Sequence, residues 1–192
     1  IEMEERMTDT PAKNEKRSAV FLDRDGTMIE DVGFLADPAG IMLYPDTMTA
    51  LRRLQQTHVL FVITNQSGVG DGMLQMDQVD NVNSELARLL AEEGITIREW
   101  YVCPHSKADN CNCRKPNTEF LERAVQEHGI ELRKSFAIGD HPHDATLGES
   151  LGVRGVYLLT GHGRKHQDEL PAGKPVFEAI GQAAEWIEKS SA

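Results

Sequence analysis

Apolar positions first gather in a short unbroken run, SAVFLD from Ser18 to Asp23, which ends on an acid and predicts a buried parallel strand entering a loop. Pro45 then opens a segment in which Met48, Leu51 and Leu54 recur at helical spacing, and HVLFVIT from His58 to Thr64 follows as a second buried strand. From Asp77, a natural N-cap, the stripe Val79, Val82, Leu86, Leu89 and Leu90 runs to Gly94, so an amphipathic helix is expected with that stripe in the core. A strand over Ile97 to Val102 is followed by a helix from about Asn117 that buries Phe120, Leu121, Ala124 and Val125 and stops near Gly129. Ser135 to Asp140 is again a strand that meets an acid. A short helix near Ala145 to Leu151, a strand from Val153 to Leu159, a Gly-rich TGHG turn and a last helix through Ala179 to Ile187 complete the alternation.

Strand and helix alternate throughout, which predicts an α/β class: a doubly wound, mostly parallel sheet with helices on both faces. In such sheets ligands bind beyond the carboxyl ends of the strands. Asp23, Thr64, Cys103 and Asp140 each fall at or just after such an end, so four distant segments should meet along one edge. At 192 residues the chain suits one hydrophobic core. One domain is expected over residues 18–192, behind a charged tail at 1–17, with no internal repeat.

Composition narrows the function classes. No run approaches the roughly 20 apolar residues of a membrane span, and the opening residues lack the apolar stretch and cleavage site of a signal peptide. The expectation is a cytoplasmic, monomeric protein without membrane partners. Twenty basic against thirty-one acidic residues, a net charge of -11, argue against a nucleic-acid partner, while a small anionic substrate remains compatible through local fields. Three cysteines cannot pair completely, and metal binding suits them better than disulfides in a reducing compartment.

In FLDRDGT, Asp23 and Asp25 stand two apart, so on an extended segment both carboxyls face one side, and Gly26 lets the backbone turn away. One carboxylate can attack phosphorus while the other, its pKa raised, protonates the leaving oxygen. Two neighbouring negative charges call for a cation, and Mg²⁺ suits oxygen ligands and phosphate substrates. An acidic turn or calcium loop is the plainer reading of such a stretch alone, but Thr27, Met28 and Ile29 follow where a calcium loop needs further oxygen ligands. TNQSG, from Thr64 to Gly68, offers hydroxyl, amide and backbone N–H groups for phosphate oxygens. Arg114 and Lys115 bring positive charge to the same edge, and GDHPHD supplies Asp140 as a third metal carboxylate with Asp144 as support or helix cap. His143, His162 and His166 are expected to be ordinary polar loop residues.

Cys103, His105, Cys111 and Cys113 form a CxH and a CxC pair joined by a short loop. Three thiolates and an imidazole make a closed tetrahedral zinc set with no position left for water, so the expected zinc is structural.

The ordered set FLDRDGT, ITNQSG, RKP and IGDxxxD resembles the haloacid dehalogenase (HAD) superfamily of aspartate-nucleophile phosphatases. The CPHxxxxxCxCRKP segment resembles its zinc-containing branch, which acts on heptose 1,7-bisphosphate or histidinol phosphate. The resemblance spans about residues 18 to 160. It implies a Rossmann-type phosphatase without a large cap domain, in which Asp23 is the nucleophile that forms an aspartyl-phosphate and Asp25 the acid and base. Mg²⁺ would be held by Asp23, the Asp25 carbonyl and Asp140. Thr64 and Asn65 would bind the phosphoryl group, Lys115 would stabilise it, and Arg24 and Arg114 would contact substrate. His141 stands where the branch often has Lys or Arg. A heptose bisphosphate, and so a place in carbohydrate metabolism, is the first expectation because DVGF and TGHG resemble the heptose enzymes. Histidinol phosphate is the nearest alternative, and a non-catalytic phosphometabolite-binding module on the same fold is a third.

Overall fold

The computed structural model describes residues 16–191, so nearly all of the expected charged tail lies outside the described residues. In chain order the regular elements are β1 (Ala19–Leu22), α1 (Thr47–Leu54), β2 (Val59–Asn65), α2 (Ser67–Gly70), α3 (Met76–Glu92), β3 (Ile97–Cys103), α4 (Glu119–His128), β4 (Phe136–Gly139), α5 (Pro142–Ala145), β5 (Arg154–Leu158), α6 (Gly163–His166), β6 (Val176–Phe177) and α7 (Ile180–Ser191). The strands form one six-stranded sheet in the order β3-β2-β1-β4-β5-β6, and every pairing is parallel.

Strand alternation splits the core in two. Val20, Leu22, Val62, Ile138 and Val156 face one side, against Leu51 and Leu54 of α1, Val82 and Leu86 of α3 and Ala183 and Ile187 of α7. Ala19, Phe21, Phe61, Ile63 and Ala137 face the other, against Phe120, Leu121 and Ala124 of α4. Burial on both sides is why these strands are continuous apolar runs. The helix expected from Asp77 begins at Met76 instead, where the Gln75 N–H donates to Gln78 Oε1 at 2.8 Å. Val125, expected in the core, is 37% exposed on α4. The TGHG turn runs into the short α6. No cap domain is inserted after β1 or β2. Among the described residues, no helix is long and apolar enough to cross a membrane.

Strand order reverses at β1 and β4: β2 and β3 build outward on one side, β5 and β6 on the other. The crevice beyond the carboxyl ends of β1 and β4 is therefore where a ligand should sit.

Candidate active site

Leaving β1 and β4, the chain reaches Asp23 and Asp140, and the Asp23 N–H donates to the Ile138 carbonyl at 2.9 Å. Gly26 has a φ of +82°, and a Cβ there would lie 2.1 Å from Asp140 Oδ2, so only glycine lets the first loop pass this close. Thr160 Oγ1 donates to the Gly26 carbonyl at 2.6 Å and the His162 N–H to Asp140 Oδ2 at 2.7 Å. The TGHG segment thus holds the site from the far side.

A cavity of about 490 Å³ opens at this point. Asp23, Asp25, Thr64, Asn65, Lys115 and Asp140 line its floor, together with Asp144, while Asp31, Lys107, Arg114, His141, His143, His162 and Glu169 surround it. The four distant segments do converge. His143 and His162, expected to be ordinary loop residues, are part of the wall, and the His166 ring lies 4.8 Å from that of His141. No sequence signal marks Lys107 or Glu169, which stand in short 3-10 turns, and Asp31 belongs to DVGF, whose place at the cavity spacing alone does not show. Asp31 pairs with His162 at 3.0 Å, joining DVGF to TGHG.

Lys115 is 4% exposed, with its ammonium 2.6 Å from Asp23 Oδ1 and 2.6 Å from Asp144 Oδ1. Burial opposes its charge, but Asp144 and Asp23 more than offset this and hold its pKa above the usual lysine value. Asn65 Oδ1 accepts the Lys115 backbone N–H at 3.0 Å, so the end of β2 fixes where the lysine stands. Burial, opposed by Lys115 and reinforced by Asp144, raises Asp23 to about 6. Asp140 is pushed up to about 8, by burial first and then by Asp23 and Asp144. Burial likewise raises Asp25, against the pull of Arg24. On the wall, burial and the rings of His143 and His166 lower His141 to about 4.

Arg24 departs from expectation. It is fully buried and does not line the cavity; its guanidinium instead grips Asp25 and Asn83. Its side chain therefore does not reach the cavity in this arrangement, because Asp23 and Asp25 turn toward the cavity and the side chain between them turns away.

Oxygens of Asp23, Asp140 and Asp144 lie within 4.8 Å of one another. Three carboxylates crowd around the single Lys115 ammonium, and burial first, then like charge, raises Asp23 and Asp140, a crowding that a hard divalent cation would relieve. Asp144 is already engaged by Lys115 and by the His141 N–H at 3.0 Å. Asp23 and Asp140 remain as side-chain ligands. The Asp25 side chain is held by Arg24 and Gln66, which leaves its backbone carbonyl as the donor it could offer.

Cys103, His105, Cys111 and Cys113 also converge. Cys103 Sγ lies 3.5 Å from Cys111 Sγ and 3.7 Å from His105 Nδ1, while Cys113 Sγ lies 3.6 Å from Cys111 Sγ and 3.2 Å from His105 Nδ1. A tetrahedron with Zn–S bonds of about 2.3 Å has edges of about 3.8 Å, so the donor set fits zinc. Lys115 follows two residues after Cys113.

A family model described as HAD-hydrolase-like matches residues 112–183. A probable D-glycero-D-manno-heptose-1,7-bisphosphate 7-phosphatase of Thermoplasma volcanium is 34% identical over 122 residues, 63% of this chain and 84% of that protein. The histidine biosynthesis bifunctional protein HisB of Campylobacter jejuni is 33% identical over 141 residues, 71% of this chain and 40% of that protein. Among solved structures, D,D-heptose 1,7-bisphosphate phosphatase from B. bronchiseptica, complexed with magnesium and phosphate, superposes with a TM-score of 0.83 at 28% identity, covering 90% of this chain and 99% of that one. Fold, site and relatives agree: the chain belongs to the haloacid dehalogenase superfamily of phosphatases, homologous to the heptose 1,7-bisphosphate phosphatases and to the phosphatase domain of HisB.

Proposed function

We propose that the protein is a magnesium-dependent phosphomonoesterase that works through an aspartyl-phosphate on Asp23, with D-glycero-D-manno-heptose 1,7-bisphosphate as its substrate and the 7-phosphate as the group removed. The observation that carries this reading is the pairing, in one cavity, of Asp23 held by Lys115 at 2.6 Å with Asp25 and Asp140 on the same floor.

Asp23 attacks phosphorus, and Asp25 gives a proton to the leaving sugar oxygen. In the second half Asp25 takes a proton from the water that attacks the aspartyl-phosphate. Lys115 keeps Asp23 oriented and stabilises the transferring oxygens, with Thr64 and Asn65 beside them. Bound Mg²⁺, on Asp23, Asp140 and the Asp25 carbonyl, would neutralise the charge shared by phosphate and carboxylates. The zinc set would be structural, fixing the loop that presents Arg114 and Lys115.

Two features support a bisphosphate. Lys107 and Arg114 add cations to the cavity wall beyond Lys115, where a second phosphate would lie. DVGF and TGHG, the segments that resemble the heptose enzymes, meet through Asp31 and His162 at that wall. Side-by-side kcat/KM values on heptose 1,7-bisphosphate and histidinol phosphate test the choice. Preference for the heptose ester is expected, and a large preference for histidinol phosphate would overturn it.

A further inference from the structure

Arg24 uses every nitrogen of its guanidinium in a place substrate does not reach. Nε donates to Asp25 Oδ2 at 3.0 Å, Nη2 to Asp25 Oδ1 at 3.1 Å and Nη1 to Asn83 Oδ1 at 2.7 Å. Gln66 Nε2 donates to Asp25 Oδ2 and to Thr64 Oγ1, each at 2.8 Å. Arg24, Gln66 and Asn83 are all buried; Arg24 and Gln66 meet on one carboxyl that borders the cavity, and Asn83 holds Arg24 from behind.

A carboxylate has about four lone-pair sites on its two oxygens. Arg24 and Gln66 fill both on Oδ2, and Arg24 fills one on Oδ1. One site is left, on Oδ1. We infer that Arg24, Gln66 and Asn83 are positioning residues that hold the Asp25 carboxyl so that this last lone pair of Oδ1 faces the leaving oxygen and carries the proton delivered to it.

The role rests on the phosphatase reading above. As Asp23 forms its bond to phosphorus, the bond to the ester oxygen breaks with its electron pair on that oxygen, and the Oδ1–H bond of Asp25 breaks to protonate it. Asp25 is left as a carboxylate facing three fixed donors. Water then attacks the aspartyl-phosphate, gives its proton back to Oδ1, and inorganic phosphate leaves with Asp23 restored. Without an outside anchor, a guanidinium gripping the next residue along the chain could swing together with it. Asn83, on α3 and 59 residues away, supplies that anchor.

An ester's need for a proton donor depends on its leaving group, which separates positioning of the acid from general damage. The test compares Gln66→Met, Asn83→Leu and Arg24→Lys on a sugar phosphate, whose alkoxide leaves poorly, and on p-nitrophenyl phosphate, whose phenolate leaves without help. The sugar-phosphate kcat/KM, which reports the steps through phosphoryl transfer and not the hydrolysis common to both esters, is expected to fall about 10- to 100-fold, with less than about a threefold fall on the aryl ester, the same pattern as Asp25→Asn. Arg24→Lys keeps the charge without the fork and should remain defective. Thermal unfolding and beryllofluoride binding at Asp23 establish that each variant is folded; Gln66→Met is the mildest change should the others fail to fold. Equal losses on the two esters, or none on either, in folded variants would overturn the positioning role alone. A wild-type protein inactive on both would overturn the phosphatase reading and this role with it.

Discussion

Removing the charge of Asp140 should make the magnesium-free protein more stable. In the folded chain this carboxyl holds its proton to about pH 8, against an ordinary value of 3.8. The folded state therefore binds more protons than the unfolded one between those limits, and its stability falls as pH rises through the window. Below about pH 4 both states are protonated and the penalty vanishes; above about pH 8 it is complete. At roughly 1.4 kcal/mol per pH unit the ceiling is about 6 kcal/mol, and about 2–4 kcal/mol is expected because the amide that replaces the carboxyl is itself desolvated. Asp140→Asn keeps a carbonyl oxygen for the His162 N–H and changes little in volume. For a chain of this size the gain corresponds to a rise in Tm of about 5–15 °C at pH 8, shrinking toward zero near pH 4. Differential scanning calorimetry across that range, zinc retained and magnesium withheld, measures it. Millimolar Mg²⁺ should raise the Tm of the wild type at pH 8 and leave Asp140→Asn nearly unmoved. A variant no more stable than wild type at pH 8, or one stabilised equally by Mg²⁺, would refute carboxylate crowding as the reason for a metal there.

Asp23→Asn should abolish phosphate release while unfolding remains cooperative, since Asp144, the other carboxylate on Lys115, is buried and also held by the His141 N–H; appreciable residual turnover would remove Asp23 from its role. Gly26→Ala puts a methyl where Asp140 Oδ2 stands, 2.1 Å away, on a backbone at φ +82°, and should cost about 1–3 kcal/mol in calorimetry together with most of the activity. Elemental analysis should find about one zinc per chain from the four-donor set, and Cys111→Ser should lower zinc content, Tm and kcat together. Full activity in zinc-free protein would contradict a positioning role for that loop.

Fold and floor were legible because each obeys a short-range rule. Strands buried on both faces leave unbroken apolar runs, and helices packed on one side leave a stripe, so the sheet could be read without knowing its order. Zinc and aspartate motifs are legible for a similar reason: their donors sit within a few residues of one another, and spacing alone constrains where they point. Val176–Phe177 is too short to show any period, Ser67–Gly70 is half glycine, and Gly163–His166 is a single turn of polar residues, so β6, α2 and α6 left no such mark. Arg24 obeys the same rule from the other side: the two-residue period that turns Asp23 and Asp25 toward the cavity turns the Arg24 side chain away from it, into the contacts with Asp25 and Asn83.

The histidines fail differently. One histidine in a loop is usually just polar surface, and that holds for each of His143, His162 and His166 taken alone. Their common place arises from topology: His143 follows β4, while His162 and His166 follow β5, its neighbour in the sheet, so parallel pairing delivers both segments to one edge. Lys115 depends on the same kind of convergence. Asn65 at the end of β2 holds its backbone, and the cysteine loop that begins at the end of β3 brings it in. With two neighbouring strand ends fixing one ammonium, loosening the zinc loop should disturb catalysis through Lys115 even though no zinc ligand lines the cavity. On the proposed mechanism the cysteines would be remote from the bond that breaks and still set the position of the cation expected to act on it.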